Sequence, residues 1–445
     1  MQQSWEFEDF WNVGLMTLFA LGGYIPLLMN GLNSSASQLQ FQNVAGSPFS
    51  RAVIAALCAA CLIPIVRILP KLVSQHILLR PLLPYFVWAV ASIAWSQDPA
   101  VSGRKLFSFV LTCAYAFYFA LRFPLRKQLS IVFLSTSLLA VASILLLQLS
   151  PQNAIDHSKH VGAWQGVFAG KNGCAATMAV GLAAALAYRA SSFLQRTLKF
   201  VMIVLLLGII AKSDSSGTVV AIAVLLISIP IVKLLTYAPR RFRGLILLAV
   251  LALAAVATLA AINYLPEILR LLHRDATLSG RTRLWSGALQ AIYKRPWLGY
   301  GYGAFWLALK GESANIAFAL KWTPPHAHNG FLDICLSLGL VGLALFTYSL
   351  LCAGAGIWRL LKSGSLERGR WMVSVVILVI TCNLGESNLI LAPSLMWILY
   401  VAAVISLERF AVRERSRVDA STVFHPSLCP RPILRPALLG PPSNS

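Results

Sequence analysis

The sequence predicts an all-α membrane protein whose helices cross the bilayer many times. Of its 445 residues, 58% are hydrophobic and only 12% are charged, whereas soluble domains carry roughly 25% charged residues. Apolar runs long enough to span a bilayer recur along most of the chain, separated by short polar loops. Because a water-facing globule cannot cover so much apolar surface, we expect one polytopic transmembrane helix bundle.

About twelve apolar segments are predicted to span the membrane, although several are short. They are residues 11–29, 52–66, 81–96, 106–121, 129–149, 173–188, 198–212, 218–236, 244–263, 331–355, 371–386 and 389–407. The last two are separate, because one helix over both would measure about 55 Å, which exceeds a bilayer core. Residues 1–407 are therefore expected to form the membrane domain, and the Arg-, Pro- and Ser-rich residues 408–445 a disordered cytoplasmic tail.

The positive charge predicts how the chain lies in the membrane. The formal net charge is +22, and 23 of the 37 lysines and arginines fall in alternate loops and the tail. Basic loops face the anionic cytoplasmic leaflet, so both termini are expected in the cytoplasm and the large loop 264–330 on the outer side. Nucleic acid is not expected as a partner, because no aromatic and basic residues interleave outside these loops.

The large loop 264–330 holds the first candidate site residues. Apolar residues at helical spacing predict an amphipathic helix over residues 280–294, with Ser279 as its cap. Arg281 falls in the first turn of this helix, where backbone N–H groups and the helix dipole favour an anion. An arginine there suits a phosphate, which it can bind through two nitrogens. Arg283 is a second candidate, and the alternative for both is an ordinary solvated side chain.

Two histidines, His326 and His328, lie just before the next transmembrane helix. Asn329 is expected to cap that helix. A histidine at the helix N-terminus can act as a base or as a hydrogen-bond donor near neutral pH. A metal site and a purely structural pair are the alternatives. No metal is predicted, because the other acids and histidines of the loop lack metal-ligand spacing.

Polar side chains also lie at the predicted outer ends of other helices. Lys171 and Asn172 precede the sixth span, Lys212 begins a serine-rich turn after the seventh, and Glu386 lies in the last outer turn. Polar groups at membrane depth are costly, so they usually face a cavity or a partner. The alternatives are that Lys171 extends to the membrane interface, that the serine-rich segment is an ordinary turn, and that Glu386 binds nearby backbone.

Five short motifs occur in order over residues 80–405. They are Ala94-Trp95-Ser96-Gln97-Asp98-Pro99, Phe168-Ala169-Gly170-Lys171-Asn172, Gly280-Arg281-Thr282-Arg283-Leu284-Trp285, Pro296-Trp297-Leu298-Gly299-Tyr300-Gly301 and His328-Asn329-Gly330-Phe331-Leu332. The last three resemble the superfamily of O-antigen ligases and Wzy-type polysaccharide polymerases. The first two are similar to its ExoQ-like exopolysaccharide-polymerase branch.

This resemblance implies a GT-C-like membrane glycosyltransferase in the bacterial inner membrane. Such proteins use a polyprenyl-diphosphate-linked oligosaccharide on the periplasmic side, without a cofactor or a metal ion. By analogy, Arg281 would bind the diphosphate and His328 would assist the acceptor hydroxyl as the catalytic residues. The remaining candidates, predicted to bind substrate, are Lys171, Asn172, Lys212, Arg283, His326, Asn329 and Glu386.

The function implied by the resemblance is polymerisation of lipid-linked repeat units into exopolysaccharide or O-antigen, with inversion at the sugar carbon. The alternatives are an O-antigen ligase that transfers glycan to lipid A-core, and a flippase or transporter. Membrane lipid, a chain-length regulator and a flippase are the other expected partners. Many superfamily members place a basic residue in the serine-rich motif where this chain has Gly217, which would leave the diphosphate site one cation short.

Overall fold

The regular structure of the protein is helical. The computed structural model describes residues 5–21, 48–157, 160–250, 252–253, 280–364, 366–389 and 393–423. The helices are α1 (Phe7–Leu21), α2 (Pro48–Arg67), α3 (Leu69–Ser74), α4 (Leu83–Ala91), α5 (Pro99–Arg122), α6 (Leu125–Leu149), α7 (Pro151–Ala154), α8 (Lys171–Ala187), α9 (Phe193–Lys212), α10 (Ser216–Tyr237), α11 (240–250), α12 (Arg281–Lys294), α13 (Ser313–Leu320), α14 (Gly330–Lys362), α15 (Leu366–Asn383) and α16 (Leu395–Val423). Short 3₁₀ turns occupy His76–Leu79 and Ser92–Trp95.

Many of these helices suit a bilayer. Six are long and apolar enough to cross a membrane: α5, α6, α9, α10, α14 and the Leu395–Arg413 part of α16. Shorter apolar helices lie at Ala55–Arg67, Leu83–Trp95 and Gly369–Asn383. The predicted fold class, an all-α polytopic membrane protein, is therefore confirmed.

Some predicted boundaries differ from the structure or lie outside it. Residues 22–29 of the first predicted span, 254–263 of the ninth and 264–279 of the large loop are outside the described residues. The helix α16 continues past residue 407, the predicted end of the membrane domain, to Val423. Residues 408–423 are thus helical, and the predicted disorder of the tail concerns residues 424–445, which are not described.

The centre of the bundle is filled by aromatic side chains around α16. The ring of Trp397 lies 5.8 Å from that of Tyr85, 5.4 Å from Phe109 and 6.4 Å from Phe346. In this core α16 packs against α5, α14 and α15. By contrast, α9 and α10 are apolar but leave much of their surface exposed, as expected of helices that face lipid.

A break in α14 lies against the segment 296–301. Gly339 has φ 69°, a left-handed conformation that interrupts the helix. The segment 296–301 lies against this break, where Leu340 N donates to Pro296 O at 2.7 Å and Tyr300 N donates to Leu336 O at 2.8 Å. Backbone freed from a membrane helix must find such partners. The motif at 296–301 therefore supports the broken helix.

Candidate functional site

Four helices begin around the turn Gly385–Glu386, which joins α15 to α16. Asn172 in the first turn of α8 and Arg281 at the start of α12 both donate to the Glu386 side chain. Gly330 N at the start of α14 donates to the carbonyl of Glu386 at 3.1 Å. Gly217 in the first turn of α10 lies beside Gly385. Converging helix N-termini supply backbone N–H groups and positive dipole ends, which favour an anion.

The carboxylate of Glu386 joins the main candidate residues. Its Oε1 accepts hydrogen bonds from His328 Nδ1 at 3.0 Å, from Arg281 Nη2 at 3.3 Å and from Asn172 Nδ2. The side chains of Arg281, His328 and Glu386 remain 28%, 23% and 18% exposed. A substrate can therefore reach the cluster without a change of fold. The alternative that the side chain of Glu386 binds only nearby backbone is wrong. The backbone carbonyl of Glu386 is a separate group, and it accepts a hydrogen bond from Gly330 N.

The ionised carboxylate of Glu386 fixes the tautomer of His328. Burial alone would raise the pKa of Glu386, but the hydrogen bond from His328 and the charge of Arg281 lower it below its usual range. The ionised carboxylate can only accept hydrogen bonds. His328 Nδ1 must therefore carry a proton, and in the neutral imidazole of this tautomer Nε2 holds the lone pair of a potential base.

His326 supports His328 rather than duplicating it. Its Nδ1 accepts a hydrogen bond from His328 N at 3.1 Å, and the two rings lie 4.2 Å apart, edge to face. Burial lowers the pKa of His326 to about 3, the charge of Arg281 acts in the same direction, and the charge of Glu386 opposes it. His326 is thus neutral at pH 7. His328 itself has φ 50°, a conformation rare outside glycine and concentrated at functional sites.

The backbone around the two histidines is held from several sides. Ala327 N donates to the carboxylate of Asp333 at 3.1 and 3.2 Å, and Ala327 O accepts from Trp285 Nε1 at 2.9 Å. Asn329 N donates to Ser387 Oγ at 3.1 Å. Because the loop's N–H groups have fixed partners, the imidazole of His328 is held in place.

Other predicted site residues lie beside the cluster or outside it. Lys171 is adjacent to Asn172, and its Nζ binds the carbonyl of Asp214 at 3.0 Å and its carboxylate at 3.3 Å. Lys171 is therefore a cation paired with Asp214, next along the chain to the Asn172 that binds Glu386. Arg283 is exposed and lies about 200° around the helix from Arg281. The side chain of Lys212 is also exposed.

The local helix predictions had mixed outcomes. The helix predicted over 280–294 is confirmed as α12, and Asn329 caps α14 by accepting from Phe331 N and Leu332 N. The cap of α12 is Gly280 with φ 84°, so the prediction of Ser279 is wrong.

The sequence analysis missed Asp333 and Asp214 as site residues. Asp333 had one available indication, since an acid in the first turn of an otherwise apolar span usually has a specific partner. Asp214 had none beyond its place in the serine-rich segment.

Three of these residues also have the spacing of metal ligands. One ligand atom each from His326, His328 and Glu386 lies within 4.8 Å of the others. However, His328 Nδ1 and the guanidinium of Arg281 both lie within hydrogen-bond distance of the same carboxylate oxygen of Glu386. These two features favour the hydrogen-bonded arrangement, and metal independence stays a prediction.

The fold defines a multi-pass helical membrane protein, and its candidate residues form a polar cluster at one end of the bundle. Residues 200–347, less than half of the chain, match the family model described as O-antigen ligase. The predicted resemblance to this superfamily is confirmed.

Two curated proteins are similar to parts of the chain. The exopolysaccharide production protein ExoQ of Rhizobium meliloti (strain 1021) is 32% identical over 119 residues, which cover 26% of this chain and 27% of ExoQ. A protein of Rickettsia prowazekii (strain Madrid E) that is named as a polysaccharide ligase is 39% identical over 69 residues, 15% of this chain and 17% of its own. The chain thus aligns with less than a third of either relative.

Proposed function

We propose that this protein joins lipid-linked oligosaccharide repeat units into a polysaccharide at the periplasmic face of the bacterial inner membrane. The donor is a polyprenyl-diphosphate-linked oligosaccharide, and transfer proceeds with inversion and without a metal ion. The observation that carries this proposal is the carboxylate of Glu386, which joins the base His328 to the cation Arg281. The similarity to ExoQ, an exopolysaccharide production protein, supports the choice of product.

Arg281 and the converging helix N-termini form the diphosphate site in this proposal. A guanidinium has five N–H donors, and Glu386 engages Arg281 through Nη2, so further donors can bind phosphate oxygens. Departure of the diphosphate concentrates negative charge on those oxygens. Donors already in place stabilise that charge without reorganisation during the reaction. Lys171, held by Asp214, adds positive charge close by.

His328 acts as the general base. The acceptor hydroxyl oxygen attacks the anomeric carbon from the side opposite the diphosphate, and its proton passes to His328 Nε2. The bond between the anomeric carbon and the phosphate oxygen breaks, and its electron pair leaves with the diphosphate. Glu386 stabilises the imidazolium that forms and holds the ring in the required tautomer, because it accepts from Nδ1.

A complementation experiment with matched arginine variants tests this assignment. In a strain that lacks the gene, Arg281→Ala should fail to restore polymer although the protein reaches the membrane. Arg283→Ala, which removes the same charge from an exposed position two residues away, should restore it. Normal chain length with Arg281→Ala would contradict the role of Arg281.

The same deletion strain separates the polymerase from the two alternatives. Single repeat units that accumulate on the lipid carrier indicate a polymerase. Full-length chains left on the carrier indicate the ligase, which is the alternative favoured by the family description and by the Rickettsia relative. Loss of outward-facing lipid-linked repeats indicates a flippase.

A further inference from the structure

The end of the bundle opposite the candidate site holds a cavity of about 270 Å³ that the proposed reaction does not use. Its charged lining comes from Lys71 of α3 and from Arg409 and Arg413 of α16. Gln75 and apolar side chains, including Leu121, complete the wall. A cavity with three cations and apolar walls is suited to an amphiphilic anion.

The path of α5 places this cavity across the membrane from the candidate site. Next to the first residue of α5, Gln97 N donates to Tyr300 O at 3.0 Å, in the segment that supports the broken helix. Leu121, in the last turn of α5, lines the cavity. The 22 residue-to-residue steps from Pro99 to Leu121 span about 33 Å as helix. This is close to the thickness of the hydrocarbon core, roughly 30 Å.

Among the residues that the structure describes, no acid forms an ion pair with the cations of the cavity. Nearby acids pair with other bases, in the ion pairs Glu8–Arg122, Asp9–Lys127 and Glu408–Arg359. Within the described ranges, none of the ion pairs involves Lys71, Arg409 or Arg413. Arg409 and Arg413 are also four residues apart on one helix, a spacing at which like charges repel.

We propose that this cavity binds the phosphate group of an anionic membrane phospholipid. The phosphate would neutralise the three cations, and the apolar wall would receive the start of an acyl chain. Basic pockets between transmembrane helices are known to recognise such headgroups. The bound lipid would join α3 to α16 and relieve the repulsion within α16. This inference concerns the face away from the candidate site and does not depend on the proposed function.

Native mass spectrometry of the purified full-length protein tests this inference. The protein is titrated with phosphatidylglycerol and, in parallel, with phosphatidylethanolamine of the same acyl chains. We expect the wild type to bind phosphatidylglycerol more tightly. The triple variant Lys71→Gln/Arg409→Gln/Arg413→Gln should bind it about a hundredfold more weakly, since each basic residue near a membrane surface contributes roughly fivefold.

The matched control is Arg126→Gln/Arg196→Gln/Lys233→Gln, which removes three exposed cations elsewhere and should keep the wild-type preference. An equal loss of phosphatidylglycerol binding in both triple variants would overturn the inference. Binding that is retained in the Lys71→Gln/Arg409→Gln/Arg413→Gln variant would also overturn it. Inorganic phosphate that displaces the lipid at equal concentration would also overturn it, because the site would then take a soluble anion. Thermal unfolding is a second readout: phosphatidylglycerol should stabilise the wild type and the control more than the cavity variant.

Discussion

His328 Nδ1 lies 3.0 Å from Oε1 of Glu386, although 58 residues separate the two along the chain. The pair forms because α14 begins beside the turn that follows α15, where Gly330 N donates to the carbonyl of Glu386. The same carboxylate oxygen accepts from Arg281. One acid therefore sets the tautomer of the proposed base and the position of the proposed diphosphate ligand together.

Replacing this acid tests whether its charge matters. Glu386→Gln keeps the shape of the side chain, but a neutral amide neither fixes the tautomer of His328 nor stabilises its charged form. We expect the rate of polymer formation to fall by about 10²–10⁴, the usual contribution of general acid–base catalysis. Glu312→Gln, which removes an acid paired with Lys294 outside the cluster, is the control. A rate for Glu386→Gln close to that of the control would contradict this role.

The hydrogen bond from Trp285 to Ala327 predicts that Trp285 affects turnover, although this residue need not touch substrate. Trp285→Phe removes the N–H that donates to Ala327 O, at a cost of about 1 kcal/mol in stability. We expect kcat to fall about fivefold with little change in KM, because the same 1 kcal/mol no longer holds the loop of His328 in place and 1.4 kcal/mol corresponds to a factor of ten in rate. Trp297→Phe changes an indole that is 66% exposed and should leave both constants unchanged. A change in KM alone would indicate that Trp285 contacts substrate.

The break in α14 predicts a sharp difference between two glycines of that helix. An added Cβ at Gly339 would collide with the carbonyl of Trp297, and the backbone there has φ 69°. Gly339→Ala should lower the free energy of unfolding by at least about 2 kcal/mol. At Gly354 an added Cβ meets nothing within 4 Å, so Gly354→Ala should be neutral or slightly stabilising. Equal thermal midpoints for the two variants in detergent would show that the break is not required.

The low pKa of His326 predicts a pH-dependent stability. Because this pKa is about 3 in the folded protein and ordinarily 6.5, the unfolded chain binds more protons between these values. The contribution of neutral His326 is therefore complete above about pH 6.5 and is lost as the pH falls towards 3. The stability difference between wild type and His326→Gln should shrink from about pH 7 to about pH 4. Parallel stability curves for wild type and His326→Gln over this pH range would refute the prediction.

Length and periodicity predicted much of the fold, because both are local properties. The helix over 280–294 followed from its apolar spacing, and the turn between α15 and α16 followed from Gly385, Pro393 and the excessive length of a single helix. The break at Gly339 was not predictable in this way. The break depends on residues 296–301, which bind the backbone of α14. The hydrophobic pattern within one helix does not indicate which distant segment contacts it.

The candidate site was predicted as a set of residue types but not as an arrangement. Arg281 was chosen because an arginine in a first helical turn suits a phosphate, and His328 because a histidine can act as a base near neutral pH. Glu386 was chosen because polar groups at membrane depth usually face a cavity or a partner. Their shared hydrogen bonds join positions 58 and 105 residues apart, which no sequence spacing reveals. Arg283 resembled Arg281 in the sequence, and only the helical geometry separates the exposed side chain from the one that binds Glu386.

Synthesis by the purified protein tests the central claim most directly. The full-length protein, in vesicles with polyprenyl-diphosphate-linked repeat units and excess EDTA, should form longer lipid-linked chains and release polyprenyl diphosphate. His328→Asn should form none, since asparagine tolerates the left-handed backbone at this position but supplies no base. Arg359→Ala, at the opposite end of the bundle, should retain activity. Polymer from His328→Asn at the wild-type rate, or activity that needs an added divalent metal, would contradict the account.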